Sequence, residues 1–436
     1  MRNVTVLIDP AEIQGPIPHI LGINNSPRIN SVANMERDIA LFKKLNPARV
    51  RHHDCTSENG GYSLVDVSRI FPLFQADEND PRNYVFGPTD LYFRQIVKCG
   101  TPIELKFGEQ IEHAEEKFRV IPPADPKKWV RICVNIFRHY TEGWANGMKL
   151  DIRYASLWEE PDNRALFAGP FELYFELYKE FSLAMCAAFP TVRLCGFNGS
   201  GPWGDCKPWV FGEPFVKYCR DNNLPLDVFS FTSYGREPGH FAECAVEAKK
   251  MLKQYGFDNT EIFVVEWHLW PKCWMKYYDG EMDGAGNAAF SVSAMIRMLK
   301  SKAVDMAYFY AWAVGRSFSL VTNGPLRVYY ALCRYSEMAN LQQIAIHTDL
   351  PEDVDMLAAL TPEGTVKLLI SSFCAPRASY ELKVPGYTLC KIKRITDENE
   401  DCEAESILEY NAEKQCFQLN ADNGGSAVLA LEFMKQ

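Results

Sequence analysis

Two apolar runs in this chain end on carboxylates. One reads Asp151-Ile-Arg-Tyr-Ala-Ser-Leu-Trp158 and continues as Glu159-Glu160-Pro161-Asp162-Asn163. The other reads Ile262-Phe263-Val264-Val265 and continues as Glu266-Trp267-His268. Two carboxyl groups facing each other across a substrate are what cleavage of a glycosidic bond needs. One protonates the leaving oxygen, and the other attacks the anomeric carbon or activates water. A separation of about 5–5.5 Å gives retention, and roughly 6.5–9.5 Å gives inversion. An apolar surround raises the pKa of the acid, while polar donors keep the nucleophile ionised. Trp158 and Trp267 would supply apolar walls and stacking faces for a sugar ring. Periodicity alone leaves open whether Glu159 or Glu160 faces inward.

The elements that must position these groups follow from the spacing of apolar runs. Candidate strands are His19–Ile23, Ala48–His52, Ile103–Phe107, Ile152–Trp158, Val192–Phe197, Val228–Ser233, Ile262–Trp267 and Met306–Trp312. Amphipathic stretches between them predict helices at Asn34–Leu45, Pro126–Asn146, Pro170–Ala188, Pro208–Asn222, Ala242–Tyr255 and Asn287–Lys302. Pro126 and Pro170 fall where helices start. Strands alternating with helices make parallel βαβ units, and eight of them over about 300 residues fit a (β/α)8 barrel. The two carboxylate-bearing strands are the fourth and seventh, which lie across the barrel mouth. Active sites sit at the C-terminal ends of such strands.

After about Asn340 the pattern changes to short alternating strands: Val354–Leu360, Val366–Ser372, Ser379–Val384, Leu389–Ile395, Ile407–Asn411, Cys416–Leu419 and Ala427–Phe433. The division read from this is a catalytic barrel over 15–337 and an antiparallel β-sandwich over 338–436. The strand-like N-terminal segment 1–14 would join that sandwich.

Length and composition bound the rest. The chain has 436 residues, 47% of them hydrophobic, enough for a large core beside a smaller one. A formal net charge of −10 argues against nucleic acid or an anionic membrane surface as partner. The N-terminus shows no apolar signal segment, and no run of about 18 apolar residues predicts a membrane span. The 14 cysteines show no paired metal spacing, and several sit in apolar runs as buried thiols would. A reducing, cytoplasmic setting is the expectation. No glycine-rich phosphate fingerprint, HxxxH pair or GxSxG elbow occurs, so neither a cofactor nor a metal is expected.

At this point the residues resemble glycoside hydrolase family 39, the β-xylosidases and α-L-iduronidases, within the clan of retaining (β/α)8 hydrolases. The matching pieces are Gly22-Ile-Asn-Asn-Ser, Arg51-His-His-Asp54, Trp158-Glu-Glu-Pro161, Phe229-Ser-Phe-Thr-Ser-Tyr234 and Val265-Glu-Trp267, in the family's order over roughly residues 15–335. The resemblance implies that Glu160, the Glu directly before proline, is the acid/base and that Glu266 is the nucleophile. It implies that His53 and Asp54 contact sugar hydroxyls and that Tyr234 hydrogen-bonds the nucleophile. Two positions depart from the family's pattern. Glu159 stands where Asn would bond the sugar 2-hydroxyl, and Thr232 stands where many relatives carry His. A carboxylate accepts but does not donate, and it places a like charge beside Glu160.

Other candidates for lining the sugar site are His268, Asn198 and Trp312, with Trp270, Glu109 and His113 behind them. The loop from Trp267 to Tyr278 would form a cleft rim, and with the sandwich it offers a surface for a homo-oligomer. The function expected is a retaining glycosidase that removes terminal sugars from small glycosides or oligosaccharides by double displacement. The alternatives are a transglycosylase, or a carbohydrate-binding barrel altered in catalysis by Glu159. A uronate substrate would want a cation from among Arg51, Lys106, Arg164, Arg236, Lys272 and Arg316.

Overall fold

The structure is a computed structural model that describes the chain except residues 1, 53–62, 203–208, 271–281, 315–317, 349–352, 376–377, 405–407, 412–415 and 421–424. The chain opens with β1 (Arg2–Pro16), which stays outside the barrel. Eight strands then close on themselves: β2 (Leu21–Asn24), β3 (Arg49–Arg51), β4 (Ile103–Phe107), β5 (Tyr154–Leu157), β6 (Arg193–Ser200), β7 (Val228–Gly235), β8 (Glu261–Leu269) and β9 (Met306–Phe309). Every neighbouring pair is parallel, and β2 meets β9 through Leu21–Ala307 and Ile23–Phe309. All eight runs foreseen from the sequence form barrel strands. The last stops at Phe309, short of the expected Trp312.

The helices described are α1 (Val32–Leu45), α2 (Val67–Ile70), α3 (Gly87–Cys99), α4 (Pro126–Thr141), α5 (Phe171–Ala188), α6 (Gly212–Asp221), α7 (His240–Gln254), α8 (Ala285–Ser301) and α9 (Arg327–Ser336). Ser31 caps α1 by accepting from the Asn34 amide, and Asp125 caps α4 by accepting from Lys128, with Pro126 in the first turn. Helix α4 ends at Thr141 rather than Asn146, because Gly143 turns the chain at a φ of 80°. Pro170 is the cap residue of α5 rather than its first helical residue. Helices α2, α3 and α9 were not foreseen. Among the described residues no helix is long and apolar enough to cross a membrane.

The remaining strands are β10 (Gln342–Thr348), β11 (Val354–Leu360), β12 (Val366–Ala375), β13 (Ala378–Lys383), β14 (Tyr387–Ile395), β15 (Cys402–Glu403), β16 (Leu408–Asn411), β17 (Cys416–Asn420) and β18 (Gly425–Lys435). With β1 they form one ten-stranded sheet, ordered β15-β14-β18-β12-β11-β10-β1-β13-β17-β16. The expected antiparallel architecture holds, with one exception: β1 runs parallel to β13 while pairing antiparallel with β10. Strand β10 was not foreseen. Alternation in β1 places Val4, Val6 and Ile8 together in the core on one face of the sheet.

The other face is pressed on the barrel. Leu357, Leu369 and Val428 belong to the same apolar core as Phe290 and Ala289 of α8. Phe290 meets Phe373 edge-on at 5.4 Å. The Ser371 hydroxyl donates to the Ala289 carbonyl at 2.8 Å, and Arg297 pairs with Asp355 at 2.8 Å.

Candidate active site

Bulges at the barrel rim decide where the carboxylates point. Strand β7 pairs Phe231 with Val264 and then Thr232 with Glu266, so Val265 is an extra residue in β8. Val265 and Phe263 pack inside the barrel with Tyr308, while Val264 and Trp267 belong to the outer core. Strict alternation would send Glu266 outward with Val264. The bulge instead brings its carboxylate to Tyr234, whose hydroxyl donates to Glu266 Oε1.

A second bulge buttresses the other carboxylate. Strand β6 pairs Phe197 with Ser230 and then Gly199 with Phe231, which leaves Asn198 extra. Phe197 and Asn198 both have positive φ, 72° and 50°. The Asn198 amide donates to the Leu157 carbonyl at 2.8 Å, and its side-chain oxygen accepts from Ser230 at 2.5 Å. The Asn198 carbonyl accepts from the Glu160 amide at 2.8 Å. Trp158 at φ 61° and Glu160 at φ 35° twist the chain on either side of Glu159. Non-glycine residues enter this region at a cost of order 1–3 kcal/mol each, and such strain gathers at functional sites.

The twist separates the two neighbouring carboxylates. Glu159 points into the barrel and is fully buried. It forms an ion pair with Arg51, itself fully buried, and accepts from the Thr232 hydroxyl at 3.0 Å. The two positions that depart from the family pattern therefore touch each other. Glu160 is half-buried and accepts from the Asn163 amide at 2.8 Å. Burial pushes its carboxyl up to about 7; Asn163 opposes the shift, and the charges of Glu159 and Asp162 add to it. Tyr234 lies within electrostatic reach of both Glu266 and Glu160. Arg51 feels Glu159, Glu104 and Glu266, and its Nε lies 3.4 Å from Glu104.

The remaining sequence candidates divide. Trp158 is buried, donates to the Leu166 carbonyl at 2.6 Å and packs against Trp129 and Phe167. Trp267 is buried against Phe241 and Phe309. Trp312 is buried against Phe42 and donates to Asp38 at 2.9 Å. These rings serve the core, and none stands as an open stacking face. His268 is buried between Phe309 and Phe318, its Nδ1 3.1 Å from the Leu269 carbonyl. Burial holds it near pKa 3 and hence neutral. Asn198 supports Glu160 from below. Glu109 is buried and held by the Ser68 amide and hydroxyl at 2.9 and 2.5 Å, and His113 is exposed. His53, Asp54, Lys272 and Arg316, and most of the aromatic loop after Trp270, lie outside the described residues.

Sequence reasoning missed Asn163 as the partner of Glu160 and Arg51 as the partner of Glu159. The Pro161-Asp162-Asn163 turn was a usable signal for the first, since Asn in a turn returns its side chain to nearby groups. For the second, a lone Arg ending a strand beside two later Glu residues hints at a buried pair only once the barrel is closed.

A closed parallel barrel with carboxylates at the rim of its fourth and seventh strands is an arrangement that glycoside hydrolysis can use. Comparison with known proteins narrows this. The family model for glycosyl hydrolases family 39 matches residues 100–264. A β-xylosidase from Caldicellulosiruptor saccharolyticus is 25% identical over 201 residues, which span 42% of this chain and 38% of that protein. The chain thus covers well under half of the length of this relative. Among solved structures, a glucosidase from Croceicoccus marinus superposes with a TM-score of 0.81 at 19% identity, covering 100% of this chain and 99% of that one. A family 39 β-xylosidase from Caulobacter crescentus gives 0.70 at 14% identity, covering 99% of each chain. The structures speak for the fold. The family and curated matches bear out the resemblance to glycoside hydrolase family 39.

Proposed function

We propose that the chain is a retaining glycosidase, β-xylosidase-like, which removes terminal sugars from small glycosides or oligosaccharides through a glycosyl-enzyme. Glu266 is the nucleophile. The Tyr234 hydroxyl steadies its charge and aims it. Glu160 is the acid: it gives its proton to the leaving oxygen, then takes one from the water that hydrolyses the intermediate.

The observation that carries this reading is the contrast between the two carboxyl environments. One carboxylate accepts a phenolic hydrogen bond. The other sits in a burial that holds it protonated up to about pH 7. Two carboxyls with environments pushed apart divide the roles of acid and nucleophile. The curated relative named a β-xylosidase supports xylosides as first substrates to try.

The test is a panel of nitrophenyl glycosides of both anomers and several sugars, run on the wild type, Glu266→Ala and Glu160→Gln. Glu266→Ala is expected to abolish turnover. Glu160→Gln is expected to slow substrates with poor leaving groups much more than nitrophenyl ones, because the latter need little protonation. Full activity in both variants would refute the assignment. Sugar binding by the wild type without release of any aglycone would point instead to a barrel that binds and does not cleave.

A further inference from the structure

The active centre holds more carboxylates than its proposed chemistry uses. Glu159 lies between Glu160 in sequence and Arg51 in space, fully buried, with one oxygen on the guanidinium and the other on Thr232. A buried carboxylate is tolerated only when paired and hydrogen-bonded, and Arg51 supplies that. Yet Arg51 is not spent on Glu159 alone, since Glu104 and Glu266 also act on it. Its positive charge is therefore divided among three carboxylates, one on β4, one just past β5 and one on β8. The negative charge of Glu159 is felt in turn by Glu160 and Asp162 on its own loop and by Tyr174 of α5.

We propose that Glu159 and Arg51 form a positioning pair that sets the charge felt by both Glu160 and Glu266, and with it the pH range of turnover. The proposal rests on the glycosidase reading above. Glu159 repels a second negative charge on Glu160 and so helps to keep its proton. By occupying Arg51, it also dilutes the stabilisation that this cation gives the Glu266 carboxylate. One side chain thus moves both limbs of the pH profile in the same direction. Thr232, across the rim on β7, fixes the carboxylate that does this.

Glu159→Gln keeps the size and the hydrogen-bonding shape while deleting the charge. Glu160 then loses its proton more readily, so the alkaline limb falls. Glu266 gains more of Arg51, so the acid limb falls as well. Both limbs are expected about one unit lower in pH. Thr232→Val, which keeps the charge, is expected to leave both limbs in place. A second variant removes both groups, Arg51→Met with Glu159→Met, and leaves buried Glu104 to the hydrogen bond it accepts from Tyr308. Its acid limb should rise and its alkaline limb fall, narrowing the bell from both sides.

The measurement is the pH dependence of kcat/KM on a nitrophenyl glycoside that the wild type cleaves. Limbs unmoved in Glu159→Gln, equal shifts in Thr232→Val, or an unchanged width in the double methionine variant would each overturn the pairing proposal. A wild type that cleaves no glycoside would instead overturn the functional reading beneath it.

Discussion

Tyr234 and Glu266 show how much of this site depends on single atoms. The hydroxyl is a charge-assisted donor in a half-buried position, where such bonds contribute about 1.5–3 kcal/mol. Tyr234→Phe is therefore expected to lower kcat/KM by roughly ten- to a hundredfold while the fold melts near the wild-type temperature. An unchanged rate would mean that the bond is not used in the transition state. Glu160 makes the complementary prediction. Its carboxyl is raised to about 7, so the protonated acid is present below that pH and is lost as pH rises through it. Turnover of substrates with poor leaving groups should fall on the alkaline side around neutrality, and Glu160→Gln should abolish that limb. The strand-end carboxylates were readable from their place in the sequence, while the choice of Glu160 over Glu159 and the role of Tyr234 came from the family resemblance. The direction of Glu159 was not readable, because positive φ at Trp158 and Glu160 breaks the alternation on which direction is judged.

At the scale of elements, the parallel barrel was legible because buried parallel strands are continuous apolar runs punctuated by helices. The bulges in β6 and β8 were not, since an extra residue leaves no mark on composition. They are nonetheless what turn Asn198 and Glu266 to their tasks. Asn198→Ala removes the amide donor from the Leu157 carbonyl, which keeps the Tyr174 hydroxyl at 3.4 Å, and the acceptor from the Ser230 hydroxyl, which keeps the Gly196 carbonyl at 3.0 Å. The two lost hydrogen bonds together cost about 1–3 kcal/mol, and activity falls only as far as the bulge shifts the Asn198 carbonyl that holds the Glu160 amide. A melt unchanged from the wild type would show the bulge to be held by other means. Trp312 teaches the same lesson in reverse. Its type suggested a sugar contact, but its indole nitrogen and Arg28 both donate to buried Asp38 on α1. Burial pushes Asp38 up, yet these hydrogen bonds outweigh it and hold the carboxyl below its usual range. Stability from this group is complete above about pH 4 and is lost as pH falls through the lowered value. Asp38→Ala leaves Arg28 unpaired and should cost about 3–5 kcal/mol, read as a lower melting temperature at neutral pH. The wild type and Asp38→Ala should converge in strong acid.

At the scale of the molecule, barrel and sheet share one core through α8. Ser293 meets Ser371 at 3.1 Å, and Arg297 meets Asp355 across the seam. A chain ending at Asn340 would expose the α8 face that Phe373, Leu369 and Val428 cover. It is expected to aggregate or to melt without a single transition in calorimetry. A soluble, fully active barrel would show the sheet to be dispensable. Strand β1 ties this arrangement across the whole length of the chain. It hydrogen-bonds on one edge to residues 342–348 and on the other to residues 378–383. Strand β1 therefore finds neither neighbour until the whole barrel between them has been made. At roughly 5–20 residues per second, that wait is on the order of 20–70 s. Over that interval Val4, Val6 and Ile8 have no sheet to enter, which leaves an apolar strand on the nascent chain that a chaperone could hold.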